Sequence, residues 1–196
     1  MALTKKSQSL RHQGAKRMKI IETGFEGLYE LEPLVFGDER GYFFESYRRD
    51  LSESLGIKED FVQDNQSFSV QGTLRGLHYQ KDPHAQAKLV SVTSGKVLDV
   101  AVDIRRHSPT YGRHHKVILD AEKHNMFLIP AGFAHGFLAL EDSVFVYKCS
   151  NYYHKESEGG IHFNDSELNI NWKIPENELI ISEKDMILPS LKTSKN

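Results

Sequence analysis

From residue 61 to residue 104 the chain alternates apolar and polar positions in short runs parted by glycine-bearing turns, and this period-2 pattern restricts the fold more than any other feature. Lys88, Val90 and Val92 fall on one face of a strand, with Leu89, Ser91 and Thr93 on the other. Ser94-Gly95 then turns the chain into a second strand, Val97-Leu-Asp-Val-Ala-Val-Asp-Ile104. Lys116-Val-Ile-Leu119 repeats the pattern after a loop around Ser108-Pro109. Upstream, residues 18–32 give two extended pieces around Gly24 and Gly27, and Pro33 closes the second. Residues 34–47 add an apolar strand, a Gly/Asp turn bearing Arg40, and an aromatic strand containing Glu45. Helical spacing is convincing only over residues 48–58, where Leu51, Leu55 and Ile57 form a stripe ended near Gly56. Many short strands without βαβ alternation predict an all-β sandwich or barrel. A chain of 196 residues is long enough for one such domain with a sizeable core.

Several classes fall away at once. No apolar run approaches bilayer length, and the N-terminus has no apolar segment of the signal type, so the expectation is a soluble, cytoplasmic protein with no membrane partner. Cys149 is the only cysteine, which rules out an intrachain disulfide and a cysteine metal cluster. Residues 1–17 carry Lys5, Lys6, Arg11, Lys16 and Arg17 with no acidic residue. Such a polar Ser/Gln/Lys leader reads as a disordered extension rather than a nucleic-acid-binding tail, with Met18 a natural start and residues 192–196 a frayed end.

The stretch Gly72-Thr-Leu-Arg-Gly-Leu-His-Tyr-Gln80 places His78 three residues after Arg75 and ten before Lys88. Strict alternation would send Arg75 and His78 to opposite faces; a bulge at Gly76 would bring both inward. Simple hairpin pairing around residues 141–143 sets Phe137 opposite Tyr147 and His135 opposite Cys149, so His135 and Tyr147 are expected to line one cavity. In the polar strand 61–70, Gln63 and Asn65 either face that cavity or satisfy backbone groups. A mouth holding two histidines, a lysine, an arginine and a phenol suits an anionic ligand, with arginine the natural phosphate contact. A base, a cation and an acid together also suit proton abstraction next to a carbonyl.

The spacing from Gly72 to His78, and Pro130-Ala-Gly-Phe-Ala-His135, resemble the two signatures of the cupin superfamily, a small jelly-roll β-barrel. Metal-binding cupins would carry a second histidine at position 80, where this chain has Gln80 followed by Asp82. One imidazole and one carboxylate with a lysine nearby make a weak divalent-metal site, so a metal-dependent oxygenase is rejected. The chain further resembles the dTDP-4-dehydrorhamnose 3,5-epimerase family over nearly all of residues 18–191, leaving residues 1–17 outside. The carrying strings are Asp38-Glu-Arg-Gly-Tyr-Phe-Phe-Glu45, Gln63-Asp-Asn65, Leu74-Arg-Gly-Leu-His-Tyr-Gln80, Pro83-His-Ala-Gln-Ala-Lys-Leu-Val90, Ile129-Pro-Ala-Gly-Phe-Ala-His-Gly-Phe137, Tyr147-Lys148, Asn151-Tyr-Tyr153 and Ser182-Glu-Lys-Asp185.

That resemblance implies an all-β cupin-type domain with one or two short helices. It also implies an isomerase without metal or cofactor that inverts C3 and C5 of dTDP-4-dehydro-6-deoxy-D-glucose to give dTDP-4-dehydro-L-rhamnose. His78 matches the family's general base, oriented by Asp185; Lys88 matches the enolate-stabilising group and Tyr147 the acid on the opposite face. Arg40, Glu45, Gln63, Asn65, Arg75, His135, Glu158 and Lys184 match positions that contact the nucleotide-sugar, and Tyr153 a surface that stacks on thymine. A homodimer is implied in the same way. The alternatives are an epimerase inverting only C3 or only C5, and a nucleotide-sugar-binding cupin without chemistry, which would tolerate loss of His78 or Tyr147.

Overall fold

The computed structural model describes residues 18–54 and 60–194. The expectations for residues 1–17 and for the helix end near Gly56 lie outside the described residues. In chain order the strands are β1 (Met18–Glu22), β2 (Tyr29–Pro33), β3 (Phe36–Asp38), β4 (Gly41–Phe43), β5 (Gln63–Ser69), β6 (Thr73–Gln80) and β7 (Lys88–Ser94). They continue with β8 (Lys96–Asp103), β9 (His114–Asp120), β10 (Met126–Ile129), β11 (Phe133–Ala139), β12 (Ser143–Cys149), β13 (Glu158–Gly160) and β14 (Ile180–Ile181). Two short helices accompany them, α1 (Arg49–Ser54) after β4 and α2 (Glu183–Met186) after β14. None of the described helices is long and apolar enough to cross a membrane.

Two sheets face each other, one ordered β1-β2-β10-β7-β12-β5 and the other β13-β6-β11-β8-β9 with β14 added along β6. Every strand pairing is antiparallel except that of β14 with β6. The alternation read from the sequence is realised in β8, where Val97 and Ala101 enter the core between the sheets and Leu98, Val100 and Val102 enter a second core behind it. That second core is closed by the C-terminal segment, through Ile161, Phe163, Leu168, Trp172 and Leu191. Because both faces of this sheet are buried, its polar inner residues sit in a rigid frame. Ser194 is 5% exposed and its hydroxyl donates to the Leu191 carbonyl at 2.8 Å, so the described part of the terminal tail is packed rather than frayed.

The hairpin expected across residues 141–143 does not form. β11 pairs with β6 and β8, whereas β12 pairs with β5 and β7 in the other sheet. β11 is buried along its whole length with both edges occupied, so it has none left for β12. The Leu140 and Glu141 amides both donate to the Lys96 carbonyl, at 2.8 and 3.3 Å, turning the chain across the sandwich. His135 and Tyr147 share a cavity after all, but from facing sheets. Glu45 also falls just beyond β4 rather than within it.

The bulge expected at Gly76 is present. The β6–β11 register runs from His78 opposite His135 to Arg75 opposite Phe137, a shift that lets both Arg75 and His78 line the cavity. Gly76 has φ +126°, and a Cβ there would lie 2.5 Å from the Gly136 Cα. A Cβ on Gly136 would in turn lie 2.6 Å from the Arg75 carbonyl oxygen. The two strands approach this closely only because both residues lack side chains. Gly136→Ala is expected to destabilise the fold by about 3 kcal/mol in urea unfolding, since backbone on both strands must move; unchanged stability would contradict the close approach.

Candidate active site

A cavity of about 340 Å³ opens between the sheets and is lined by His78 and Arg75 of β6, Lys88 of β7, His135 of β11 and Tyr147 of β12. Ser182, Lys184 and Asp185 reach it from the C-terminal segment. That segment arrives by way of β14, whose Ile180 and Ile181 pair in parallel with Thr73 and Leu74 at the start of β6. Ser182 then caps α2, its hydroxyl accepting from the Asp185 amide at 3.2 Å. Running alongside β6, the chain brings Asp185 to the level of His78, 107 residues away in sequence.

The His78 Nε2 lies 2.7 Å from the Asp185 Oδ1, and the Gly76 amide donates to Oδ2 at 3.2 Å. Burial pushes the Asp185 carboxyl up, but the bond from His78, its charge and the Gly76 amide outweigh burial and hold the group below its ordinary value. An ionised carboxylate accepts only, so the neutral imidazole carries its proton on Nε2 and keeps Nδ1 as its lone pair.

His135 has a carboxylate of its own. Its Nε2 is 3.0 Å from each oxygen of Asp99, which is fully buried on β8. Burial lowers the His135 pKa more than Asp99 raises it, so the ring is held neutral. Burial likewise lowers the Lys88 pKa, opposed by Cys149, Asp99 and Glu158. Tyr147 moves the other way, its phenol raised by burial and then by Cys149, with Arg75 pulling back. Its proton is therefore kept at neutral pH. Arg75 is aimed by Ser69, whose hydroxyl accepts from Nε at 3.1 Å, and by the Phe68 carbonyl at 3.3 Å.

At one edge Glu158 takes both oxygens to Lys184 Nζ at 2.8 Å and accepts from the Tyr153 hydroxyl at 3.1 Å. Burial raises the Glu158 carboxyl, yet the hydrogen bonds from Lys184 and Tyr153 leave it lowered overall. Gln63 joins this edge, its Oε1 accepting from the Tyr153 amide at 3.2 Å while its Nε2 donates to Asn65 at 3.0 Å. Asn65 in turn donates to the Cys149 sulfur at 3.7 Å and lines a neighbouring groove. Gln80 points elsewhere: its amide is used by the backbones of His84, Tyr152 and His154.

Six expected residues do not line this cavity: Glu158, Tyr153 and Gln63 are joined to it through Lys184, Asn65 lines the neighbouring groove, and Arg40 and Glu45 stand apart. Arg40 sits at the tip of the β3–β4 hairpin, bound to Asp38. Glu45 follows the hairpin and pairs with Arg48 at 3.3 Å. Conversely, Asp99 and Ser182 were not anticipated. A carboxylate at Asp99 set between apolar residues, on the face of Val97 and Ala101, is a usable sign of a buried partner; Ser182 offers only its helix-capping spacing to Asp185.

A histidine bonded to a carboxylate, a lysine and a protonated phenol around one cavity suit acid–base chemistry, and they sit on a cupin-type jelly roll. The chain belongs to the dTDP-4-dehydrorhamnose 3,5-epimerase family, whose model matches residues 22–193. The enzyme of that name from Shigella flexneri is 49% identical over 171 residues, 86% of this chain and 93% of its own. The crystal structure of the Elizabethkingia anophelis enzyme superposes with a TM-score of 0.86 at 53% identity, covering 90% of this chain and 97% of that one. A Legionella pneumophila 3,5-epimerase, solved with dTDP-4-keto-L-rhamnose, has a TM-score of 0.86 at 49% identity over 90% of this chain and 94% of that one. A 3′-monoepimerase from Streptomyces bikiniensis, in complex with dTDP-quinovose, matches at 0.78 and 36% identity, over 86% of each chain.

The direction of the Lys88 shift fixes a pH effect. Burial penalises the ammonium, so the neutral amine forms at a lower pH than for an ordinary lysine at 10.5. If its charge is needed, the alkaline limb of kcat/KM falls below that value, and Lys88→Arg, which cannot lose its charge, moves the limb upward. A rate–pH profile identical in the two proteins would contradict the assignment.

Proposed function

We propose that this chain inverts C3 and C5 of dTDP-4-dehydro-6-deoxy-D-glucose. The observation that carries the reading is that His78 and Tyr147 enter one cavity from opposite sheets. His78 Nδ1 takes the proton from a carbon beside the C4 ketone, and the imidazolium formed is stabilised by Asp185. Charge develops on the ketone oxygen, where the Lys88 ammonium stabilises it. Tyr147 delivers a proton from the other face, which inverts the centre; its raised pKa keeps the phenol protonated until the enolate forms. Both C3 and C5 flank the ketone, so the same set of groups serves each in turn once His78 has passed its proton to water and the Tyr147 phenolate has regained one from water. Arg75 and His135 hold the pyrophosphate and sugar, and Tyr153, Glu158, Lys184, Gln63 and Asn65 form the nucleotide end. A single-centre epimerase is the weaker reading, since the monoepimerase match has the lower identity of those compared.

Incubation with this substrate in heavy water, followed by NMR, tests the reading. Deuterium is expected at both C3 and C5, at neither with His78→Ala, and with impaired inversion but residual exchange in Tyr147→Phe. Deuterium at one centre only would establish the single-centre reading, and at neither a binding protein.

The functional unit in this reading is a homodimer. Phe36, Tyr42 and Phe43 of the β3–β4 hairpin are each at least half exposed, an apolar surface large for an isolated hairpin. A second copy receiving it would cover these rings and carry Arg40 and Glu45 to the nucleotide end of its cavity. Mixing inactive Arg40→Ala with inactive His78→Ala protein is then expected to regain about a quarter of the activity through mixed dimers with one intact site. No recovery from exchanged subunits would contradict a shared site.

A further inference from the structure

The geometry points to His84, Ser157 and His154 as positioning residues that fasten the segment bearing Tyr153 and Glu158 to the strand bearing His78. The inference rests on the reading above that Tyr153 and Glu158 contact the nucleotide. None of the three lines the cavity, and nothing in the proposed proton transfers uses them.

The rings of His84 and His154 are stacked with centroids 3.8 Å apart and planes 2° from parallel. Both Nδ1 atoms meet the Ser157 hydroxyl, at 2.9 Å from His84 and 3.0 Å from His154. A hydroxyl can donate once and accept twice, so Ser157 satisfies both Nδ1 atoms at once. Ser157 is 9% exposed, which makes both bonds costly to lose.

A second clamp lies beside the first. Gln80, two residues beyond His78 on β6, donates from Nε2 to the His84 carbonyl at 2.6 Å and to the Tyr152 carbonyl at 3.2 Å. Its Oε1 accepts from the His154 amide at 2.7 Å, and the Lys81 amide donates to the Ser157 carbonyl at 2.9 Å. Tyr153 and Glu158 are thus flanked by residues tied to β6, while their own side chains meet through the Tyr153 hydroxyl.

With the stack and its shared hydroxyl intact, the segment is ordered before ligand arrives, and binding does not bear the entropy of ordering it. The strands carrying His78, Lys88 and Tyr147 are also held by the pairings of β6 with β11, β7 with β10 and β12, and β12 with β5, none of which involves the clamp. Loosening it therefore weakens nucleotide binding and leaves the chemical step alone.

Steady-state kinetics with dTDP-4-dehydro-6-deoxy-D-glucose, and calorimetric titration with dTDP, test this on Ser157→Ala, Ser157→Thr and His154→Phe. Ser157→Ala is expected to raise KM and the dTDP Kd by about tenfold with kcat within about twofold. Ser157→Thr keeps the hydroxyl and restores both. His154→Phe keeps a stacked ring without Nδ1 and raises both by about threefold, which decides the matter even if Ser157→Ala fails to fold. Unchanged KM and dTDP Kd in a folded variant, or a fall in kcat at constant KM, would overturn the clamp. Tight dTDP binding without turnover in the parent protein would instead overturn the proposed reaction, and the clamp would still be decided by the dTDP Kd.

Discussion

The bond between His78 and Asp185 is the interaction on which the candidate site depends, and a strand pairing assembles it. A two-residue strand, β14, lies parallel to the start of β6 and aligns the following helix so that its third residue meets the imidazole. Antiparallel pairing would have run the chain away from His78. The carboxylate is buried and also takes an amide proton from Gly76, the residue that creates the bulge. The same local irregularity that turns Arg75 and His78 inward thus supplies a donor for the group that orients His78.

A sandwich with a polar cavity must satisfy what it buries. Buried His135 rests on Asp99, while at the rim exposed Arg75 rests on Ser69 and the Phe68 carbonyl, and half-buried Glu158 on Lys184 and Tyr153. Among the described residues no buried side-chain nitrogen or oxygen lacks a partner. Burial then acts in opposite senses on the two remaining reactive groups, easing proton loss from Lys88 and hindering it at Tyr147. Two groups of ordinarily similar pKa are thereby moved apart, the lysine down and the phenol up.

Much of the fold was legible because period-2 alternation is a local property: Lys88, Val90 and Val92 share a face, as do Val97, Asp99 and Ala101. Glycine chemistry was equally readable at Gly76, where the conflict between alternation and a joint role for Arg75 and His78 called for a bulge. Strand partnership was harder to read. A short link after β11 looks like a hairpin, and only the occupation of both β11 edges by distant strands sends β12 across the sandwich. Asp185 could be assigned by resemblance but not by pattern, since its partner is set by a two-residue strand with no periodicity to detect. Arg40 and Glu45 match family positions yet stand outside the cavity of their own chain, a placement that one chain's residue pattern does not contain.

The state of the His78 ring tests the central claim most directly, because the carboxylate carried by β14 and α2 dictates it. Nitrogen-15 NMR of histidine-labelled protein, at a pH that leaves the ring uncharged, reports which ring nitrogen bears the proton. The geometry predicts protonated Nε2 and a bare Nδ1 at His78, lost to a tautomer mixture in Asp185→Ala. A proton on Nδ1 in the parent protein, or a ring indifferent to loss of Asp185, would contradict it.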